Sequence, residues 1–246
     1  MKNSNKIKGI TKDHHAKKDR VDEVIYCFWT DDNPITPARS KCLETMKQNL
    51  GVRVDFLDAK AIGERILPDA PLHPGYQYLS AVHKSDYLRC YFLHHFGGGY
   101  ADIKSYSKDN NWKECFQKIN KNKELEIVGS REIMGGSAIP AYNVPEVVEN
   151  LLSMGFFIVR PQSYISSVWY TKMLEKMDES YQELKNHPAP YPFARKNDSK
   201  SKGYPLGWSE LLGDILHPIL YNMHIPFPYK KDGSLNSGWQ QKVAYR

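Results

Sequence analysis

Asp86 and Arg89 stand three residues apart, and Asp102 and Lys104 stand two apart a little further on. The first spacing puts an acid and a guanidinium on one face of a helix, and the second puts an acid and an ammonium on one face of a strand. Leu79, Val82, Asp86, Arg89, Leu93 and Phe96 follow one another at intervals of 3, 4, 3, 4 and 3, so the first pair sits within an otherwise apolar helical seam. Burying such a pair costs several kcal/mol in desolvation that mutual attraction only partly returns, so it is either a structural ion pair or part of a site. Gly97-Gly98-Gly99 ends the helix, because glycine supplies the left-handed cap and permits close backbone approach. The chain re-enters as Tyr100-Ala101-Asp102-Ile103-Lys104, whose period of two places Tyr100, Asp102 and Lys104 on one face and Ala101 and Ile103 on the other. In open α/β sheets ligands lie beyond the carboxyl ends of the strands, and these acids and cations would gather there.

The elements that must hold this constellation are legible around it. Val24 to Trp29 is an apolar run that ends in Thr30-Asp31-Asp32-Asn33-Pro34, which reads as a buried strand and a turn. Thr36 caps the following helix with Pro37 at its first position, Leu43, Met46 and Leu50 mark its inner face, and Gly51 stops it. Val52, Val54 and Phe56 alternate as a second strand, and Asp58 caps a short helix that ends near Pro68. Strand, helix, strand, helix at this spacing predicts an α/β fold with a mostly parallel sheet and right-handed crossovers, of the nucleotide-binding type. Glu126 to Gly129 and Phe156 to Val159 read as further strands, and Tyr170, Leu174, Met177, Tyr181 and Leu184 form the core stripe of a long helix. Residues 187–207, rich in Pro and Lys, read as a long mobile loop that is either a lid or disordered. That loop and residues 131–145 are expected to shape substrate choice.

Composition narrows the class. Hydrophobic residues at 41% and aromatics at 12% describe a packed globular chain, with one domain over residues 21–246. Of the formal charge of +6, residues 1–20 carry +5, so the remaining chain is nearly neutral and a nucleic-acid partner is not indicated. This basic tail is expected to be a solvated, disordered arm, or else a peripheral contact with an anionic membrane surface. No stretch approaches the roughly 20 apolar residues of a membrane span, so a soluble, cytoplasmic protein is expected. Cys27, Cys42, Cys90 and Cys115 show no metal or CxxC spacing and read as reduced structural thiols. The neighbouring pairs His14-His15 and His94-His95 point apart on a helix and do not read as metal ligands.

The run Ser85-Asp86-Tyr87-Leu88-Arg89 followed by Gly97-Gly98-Gly99-Tyr100-Ala101-Asp102 resembles the signature of the DXD-containing sugar transferases: glycosyltransferase family 32, the capsular-polysaccharide synthesis transferases and the glucosylating clostridial toxins. The spacings match at three from Asp to Arg, eleven from Arg to Tyr and two from Tyr to Asp, and the strong likeness covers about 30 residues. The resemblance implies a single GT-A nucleotide-sugar-binding domain that transfers a sugar from a nucleotide-sugar, in the first place a UDP-sugar, to a hydroxyl of a glycan or polysaccharide acceptor with retention of configuration. It implies further that Asp86 and Arg89 contact the donor sugar and phosphate region, that Tyr100 lines the nucleotide pocket, and that Asp102 is the first acid of the DXD. Phe28, Trp29 and Thr30 would hold the base. Trp208 and Ser209, in Gly207-Trp208-Ser209-Glu210, would belong to the late loop over the diphosphate, with Gly238-Trp239 and Lys242 approaching the same charge.

One departure stands out. In the family the second acid of the DXD binds a divalent metal (Mn2+ or Mg2+), and here Lys104 takes that position. An ammonium has no lone pair and ligates no metal. Either Lys104 itself neutralises the leaving phosphates, as lysine does elsewhere as a point charge, or Asp102 holds a metal with a carboxylate from elsewhere, such as Glu210, Asp214 or Asp232. On the first alternative Asp102, Arg89 and Lys104 are the catalytic set, since fixed cations stabilise the charge that builds on a departing diphosphate. A glycoside hydrolase using Asp86 and Asp102 is disfavoured because the neighbouring Arg and Lys are expected to depress both acidities and leave no proton donor. A non-catalytic nucleotide-sugar or carbohydrate-binding protein with a degenerate site is the remaining alternative. Thr30 to Pro34 lacks the glycines of a dinucleotide fold, and no GxSxG elbow is present.

Overall fold

The computed structural model describes residues 20–30, 34–132, 139, 142–148, 151–222 and 235–240. The basic tail up to residue 19, with its His14-His15 pair, and the candidates Asp232 and Lys242 lie outside the described residues. Strands β1 (Val24–Trp29), β2 (Arg53–Asp58), β3 (Gly98–Ala101), β5 (Ile127–Arg131) and β6 (Leu152–Val159) form a sheet in the order β2-β1-β3-β6-β5. A short strand β4 (Ser105–Tyr106) pairs with β7 (Trp239–Gln240) beside it. β1 pairs in parallel with both β2 and β3, while β6 is antiparallel to its neighbours β3 and β5, so four of the five large-sheet strands share one direction. The expected α/β architecture, a mostly parallel sheet flanked by helices, is therefore present.

Alternation along β1 divides the core into two layers. Val24, Tyr26 and Phe28 face a cluster built with α3 (Ala81–His95), α6 (Tyr164–Asn186) and α7 (Gly213–Asn222). Ile25 and Cys27 face a second cluster built with α1 (Pro37–Asn49) and α4 (Trp112–Lys121). The cap chemistry matches the sequence: the Thr36 hydroxyl accepts from the Arg39 N–H with Pro37 in the first turn, and the Asp58 carboxylate accepts from the Ala61 N–H at the start of α2 (Ala59–Gly63). All four cysteines are free and buried, and burial pushes the thiols of Cys27 and Cys115 up to about 12 and about 11, which leaves them protonated and inert.

Several expectations are corrected. α3 is buried nearly all round, with His83, Asp86, Tyr87, Leu88, Arg89, Cys90, Tyr91, Phe92 and Leu93 all inside, rather than along one seam. The cause is its position between the sheet and α6, which encloses it on both sides. The stripe of α6 runs through Trp169, Met173, Met177 and Leu184, so its centre lies one residue before the expected positions at its first half, and Tyr170 and Leu174 pack only at its margin. α2 stops at Gly63, short of Pro68. β3 ends at Ala101, leaving Asp102 and Lys104 just past the strand. Residues 187–207 are not a free loop: Ala194, Tyr204 and Leu206 are almost completely buried in the α3 and α6 cluster, and the Ala189 and Val82 N–H groups donate to the carbonyls of Tyr78 and Pro192. Apolar side chains placed between the prolines anchor it.

Candidate functional site

The end of α3 and the start of β3 are joined by a turn that only glycine suits. Gly97 has φ 69°, and a Cβ there would collide with the Pro161 ring. This tight return places the middle of α3 against the end of β3, and five of the predicted site residues meet there.

Arg89 lies at the centre of the cluster. Its Nη2 is 3.1 Å from Asp86 Oδ1 and donates to the Tyr100 hydroxyl at 2.8 Å, its Nη1 donates to the Met154 carbonyl at 2.6 Å, and its Cζ sits 3.9 Å from the centre of the Tyr100 ring. The Tyr100 hydroxyl donates in turn to Asp102 Oδ1 at 2.8 Å, and Lys104 Nζ is 3.0 Å from Asp102 Oδ2. Asp102 thus presents one oxygen to the buried Arg89–Tyr100 pair and the other to Lys104. Its backbone is fixed at both ends, since its N–H donates to the Gly155 carbonyl at 2.9 Å and its carbonyl accepts from the Tyr106 hydroxyl at 2.9 Å. The buried guanidinium of Arg39 on α1 donates to the Ile103 carbonyl next along the chain.

The two carboxyls respond to this setting in opposite ways. Burial pushes Asp86 up to about 7, with Arg89 pulling it down and the Asp102 charge adding to the rise. Burial also raises Asp102, but Lys104, Arg89 and the Tyr100 hydroxyl together hold it below the usual carboxylate range. The expectation that both acidities are depressed is corrected for Asp86, where desolvation exceeds the pull of Arg89. A proton donor therefore exists near neutrality, but its carboxyl is only 3% exposed and Asp86 does not line the recess described next. The Arg89 guanidinium bridges the two acids, 3.1 Å from Asp86 and 3.8 Å from Asp102, and a hydrolase pair does not follow.

A recess of about 200 Å3 opens on the Oδ2 side of Asp102, lined by Asp102, Lys104, Tyr106, Glu132 and residues 153–156 of β6. β6 overhangs the end of β3, because Ala101 pairs with Phe156 and Leu152 to Gly155 continue past it. Glu132 is held at the far rim by its N–H, which donates to the Leu151 carbonyl at 2.9 Å.

The other predicted residues are placed as follows. Phe28 is buried beneath the cluster, its ring stacked on Tyr100 at 5.9 Å between centroids. Trp29 points to the opposite side of β1, against the α1 cluster, so these two rings do not share one pocket. The Thr30 hydroxyl is 3.5 Å from the Ala81 carbonyl at the start of α3. Trp208 is 49% exposed with the Arg195 guanidinium 5.2 Å from its ring, and the Ser209 hydroxyl donates to Asp214 at 2.6 Å. Gly238 has its carbonyl on the Ser107 N–H, and Trp239 is paired with Tyr106 through the backbone. His94 and His95 are half-buried against Tyr170, in keeping with a packing role.

Residues assigned no individual role from the sequence include Ser85, whose hydroxyl is 3.2 Å from that of Tyr100, and Arg39, while Glu132 falls within the 131–145 segment expected to shape substrate choice. His83 was missed as well. Fully buried, it receives a hydrogen bond at Nδ1 from the Ser80 or Tyr204 hydroxyl (2.8 and 3.0 Å), and its Nε2 donates to the Gly207 carbonyl at 2.7 Å. It ties the Gly207–Glu210 turn to α3 one turn ahead of Asp86. Its place in the apolar seam's neighbourhood offered no signal of a polar partner 124 residues away.

Among the described residues, which leave out Asp232, the donors nearest Asp102 are already engaged. One of its oxygens is taken by Tyr100 and Arg89, the other faces an ammonium, and the Gly207 N–H and Ser209 hydroxyl engage Glu210 and Asp214 elsewhere. Among the described residues no three His, Cys, Asp or Glu side chains gather into a metal-holding group. No described helix is long and apolar enough to cross a membrane.

No protein-family model matches the chain, and no curated protein matches it. Among solved structures it is similar to one titled PaToxG Glycosyltransferase, at 15% identity and a TM-score of 0.39, covering 83% of this chain and 70% of that one. At that score the likeness is too loose to assign either fold or activity.

Proposed function

We propose that this chain is a glycosyltransferase that takes a sugar from a nucleotide-sugar, in the first place a UDP-sugar, and passes it to a hydroxyl of a glycan or polysaccharide acceptor with retention of configuration. The observation that carries this reading is the Arg89–Tyr100–Asp102–Lys104 chain of contacts at the carboxyl end of β3, which joins two cations and an ionised carboxylate at the edge of a recess. In the reaction the bond from the sugar C1 to the diphosphate oxygen breaks, the acceptor oxygen bonds to C1, and the acceptor proton passes to the departing diphosphate. Lys104, at the recess, supplies the fixed positive charge for that leaving group, while the buried Arg89 acts from behind Asp102 and Tyr100. The family resemblance assigns Tyr100 to the nucleotide side and Trp208 and Ser209 to the loop over the diphosphate.

The test is release of free UDP from UDP-sugars in the absence of acceptor, which a slow donor hydrolysis would produce. Wild-type protein is expected to release UDP at a rate that EDTA leaves unchanged, and Asp102→Ala is expected to abolish release while retaining the thermal transition. Release by Asp102→Ala at the wild-type rate would remove this carboxylate from the mechanism, and strict dependence on Mn2+ would reject Lys104 as the replacing cation.

A further inference from the structure

We infer that Arg39, on α1, is a positioning residue of the site: it fixes the Asp102–Lys104 segment in the geometry that meets the leaving diphosphate. The inference rests on the transferase reading and adds to it a residue that touches no substrate. β3 ends at Ala101, so the segment that carries the chemistry lies past the strand, and side chains take over from the ladder. The Asp102 carbonyl accepts from the Tyr106 hydroxyl at 2.9 Å, and the Ile103 carbonyl accepts from the Arg39 guanidinium. These carbonyls belong to two successive peptide planes, the first joining Asp102 to Ile103 and the second joining Ile103 to Lys104. With only two soft dihedrals per residue, the orientation of the second plane sets where the Lys104 side chain leaves the backbone. Ile103 itself is buried in the α1 cluster, so a turn of its peptide would carry Lys104 Nζ away from Asp102 Oδ2, from which it now stands 3.0 Å.

α1 carries a row of groups for this purpose. The Thr36 hydroxyl caps the helix on the Arg39 N–H, which fixes the Arg39 backbone. Further along the same helix the Thr45 hydroxyl accepts from the Tyr106 N–H at 3.1 Å, and the Asn49 amide donates to the Tyr106 carbonyl at 2.6 Å. Burying a guanidinium costs desolvation that an apolar side chain of similar length avoids, so Arg39 is the member of the row that packing alone does not explain. A second buried guanidinium provides the comparison. Arg160, just past β6 and at the other end of β3 from Asp102, donates to the carbonyls of Ile119, Asn122 and Leu125 about the end of α4. The two arginines share burial and bond type and differ in what they hold.

The experiment compares Arg39→Met, which keeps the length of the side chain and removes its donors, with Arg160→Met, both in the full chain. UDP release is followed with the best wild-type donor among UDP-glucose, UDP-galactose and UDP-N-acetylglucosamine. Arg39→Met is expected to lower kcat by about 30-fold and to change KM by less than about threefold, because the charge that Lys104 meets builds up in the transition state. A second readout needs no turnover: acetylation of Lys104 by acetic anhydride, read by mass spectrometry with the exposed Lys113 as internal reference. Lys104, with its side chain 15% exposed and paired with Asp102, is expected to react slowly in the wild type and at least about fivefold faster in Arg39→Met. Arg160→Met is expected to lower the melting temperature and to leave both kcat and Lys104 acetylation unchanged. Arg39→Lys, whose ammonium still reaches one carbonyl, is expected to shift both readouts in the same direction by less, and it decides the test where Arg39→Met shows no thermal transition. Unchanged Lys104 acetylation in the Arg39 variants, or an equal fall of kcat in Arg160→Met, would overturn the inference. A wild type that neither binds UDP nor releases it from any of the three donors removes the transferase reading itself, and the acetylation ratio alone then decides whether Arg39 holds the segment.

Discussion

At the scale of single residues the site is defined by how two neighbouring acids part company. Asp102 is stabilised as a carboxylate by two cations and a phenol, whereas Asp86 is held near its neutral form by burial despite Arg89 at 3.1 Å. Because the folded-state value of Asp86, about 7, lies above its unfolded value of 3.8, the native state binds the extra proton between these limits. Its contribution is therefore most favourable below about pH 4 and declines as pH rises towards 7. Asp86→Asn is expected to flatten this part of the stability profile, read as the difference in urea midpoint between pH 5 and pH 8. An unchanged slope would mean that Asp86 is ionised in the native state throughout. At this scale the sequence was informative, since the spacings of Asp86, Arg89, Tyr100 and Asp102 predicted that they meet. That Phe28 and Trp29 part to opposite faces of β1 also follows from strand alternation, which the grouping of both rings around a base, taken from the family resemblance, set aside.

At the scale of elements, α3 is the member whose two ends matter most. Its C-terminus feeds the glycine turn into β3, and its N-terminus carries His83, which binds the Gly207 carbonyl. Burial lowers the imidazole to about 4, outweighing the carbonyl hydrogen bond and the Glu210 charge that raise it. This folded value lies below the unfolded 6.5, so the neutral ring contributes stability above pH 6.5 that is lost as pH falls towards 4. The sign is opposite to that of Asp86. His83→Ala is expected to cost about 2–3 kcal/mol at pH 7.5, by leaving the part-buried Gly207 carbonyl without its donor and the Tyr204 hydroxyl with the Ser80 N–H alone, and to lose part of the acid sensitivity between pH 6.5 and 5. Guanidinium melts at pH 7.5, 6.5 and 5 check it, and an undiminished acid slope would refute the neutral buried imidazole. Caps and strand alternation were readable from the sequence because they depend on residues within one turn, as with Thr36, Pro37 and Asp58. The anchored course of 187–207 was not, because Tyr204 and Leu206 find their partners on α3, more than a hundred residues earlier.

At the scale of the whole molecule, charge is unevenly spread along the chain. Residues 1–20 hold +5 of the net +6, and the described contacts of the candidate site come from later residues. Deleting residues 1–19 is expected to leave the melting temperature within a degree or so, since surface charges away from packed features contribute little, and to remove any salt-sensitive binding to anionic vesicles. A fall of several degrees on deletion would show that this segment packs on the remainder. The α/β class was legible because a strand–helix–strand–helix order admits few topologies, while the reversal of β6 was not, since antiparallel entry leaves no mark in the residues of a single strand.

That reversal has a consequence for how such a protein diversifies. Because β5 runs towards the rim and β6 starts from it, the chain that bridges Arg131 to Leu152 leaves and returns beside Asp102. Lengthening or recomposing this one excursion alters the surroundings of the recess while the registers of the five strands stay untouched. New specificities are thus reachable through a single segment, provided that Val148 and Leu151, its buried apolar anchors, are kept.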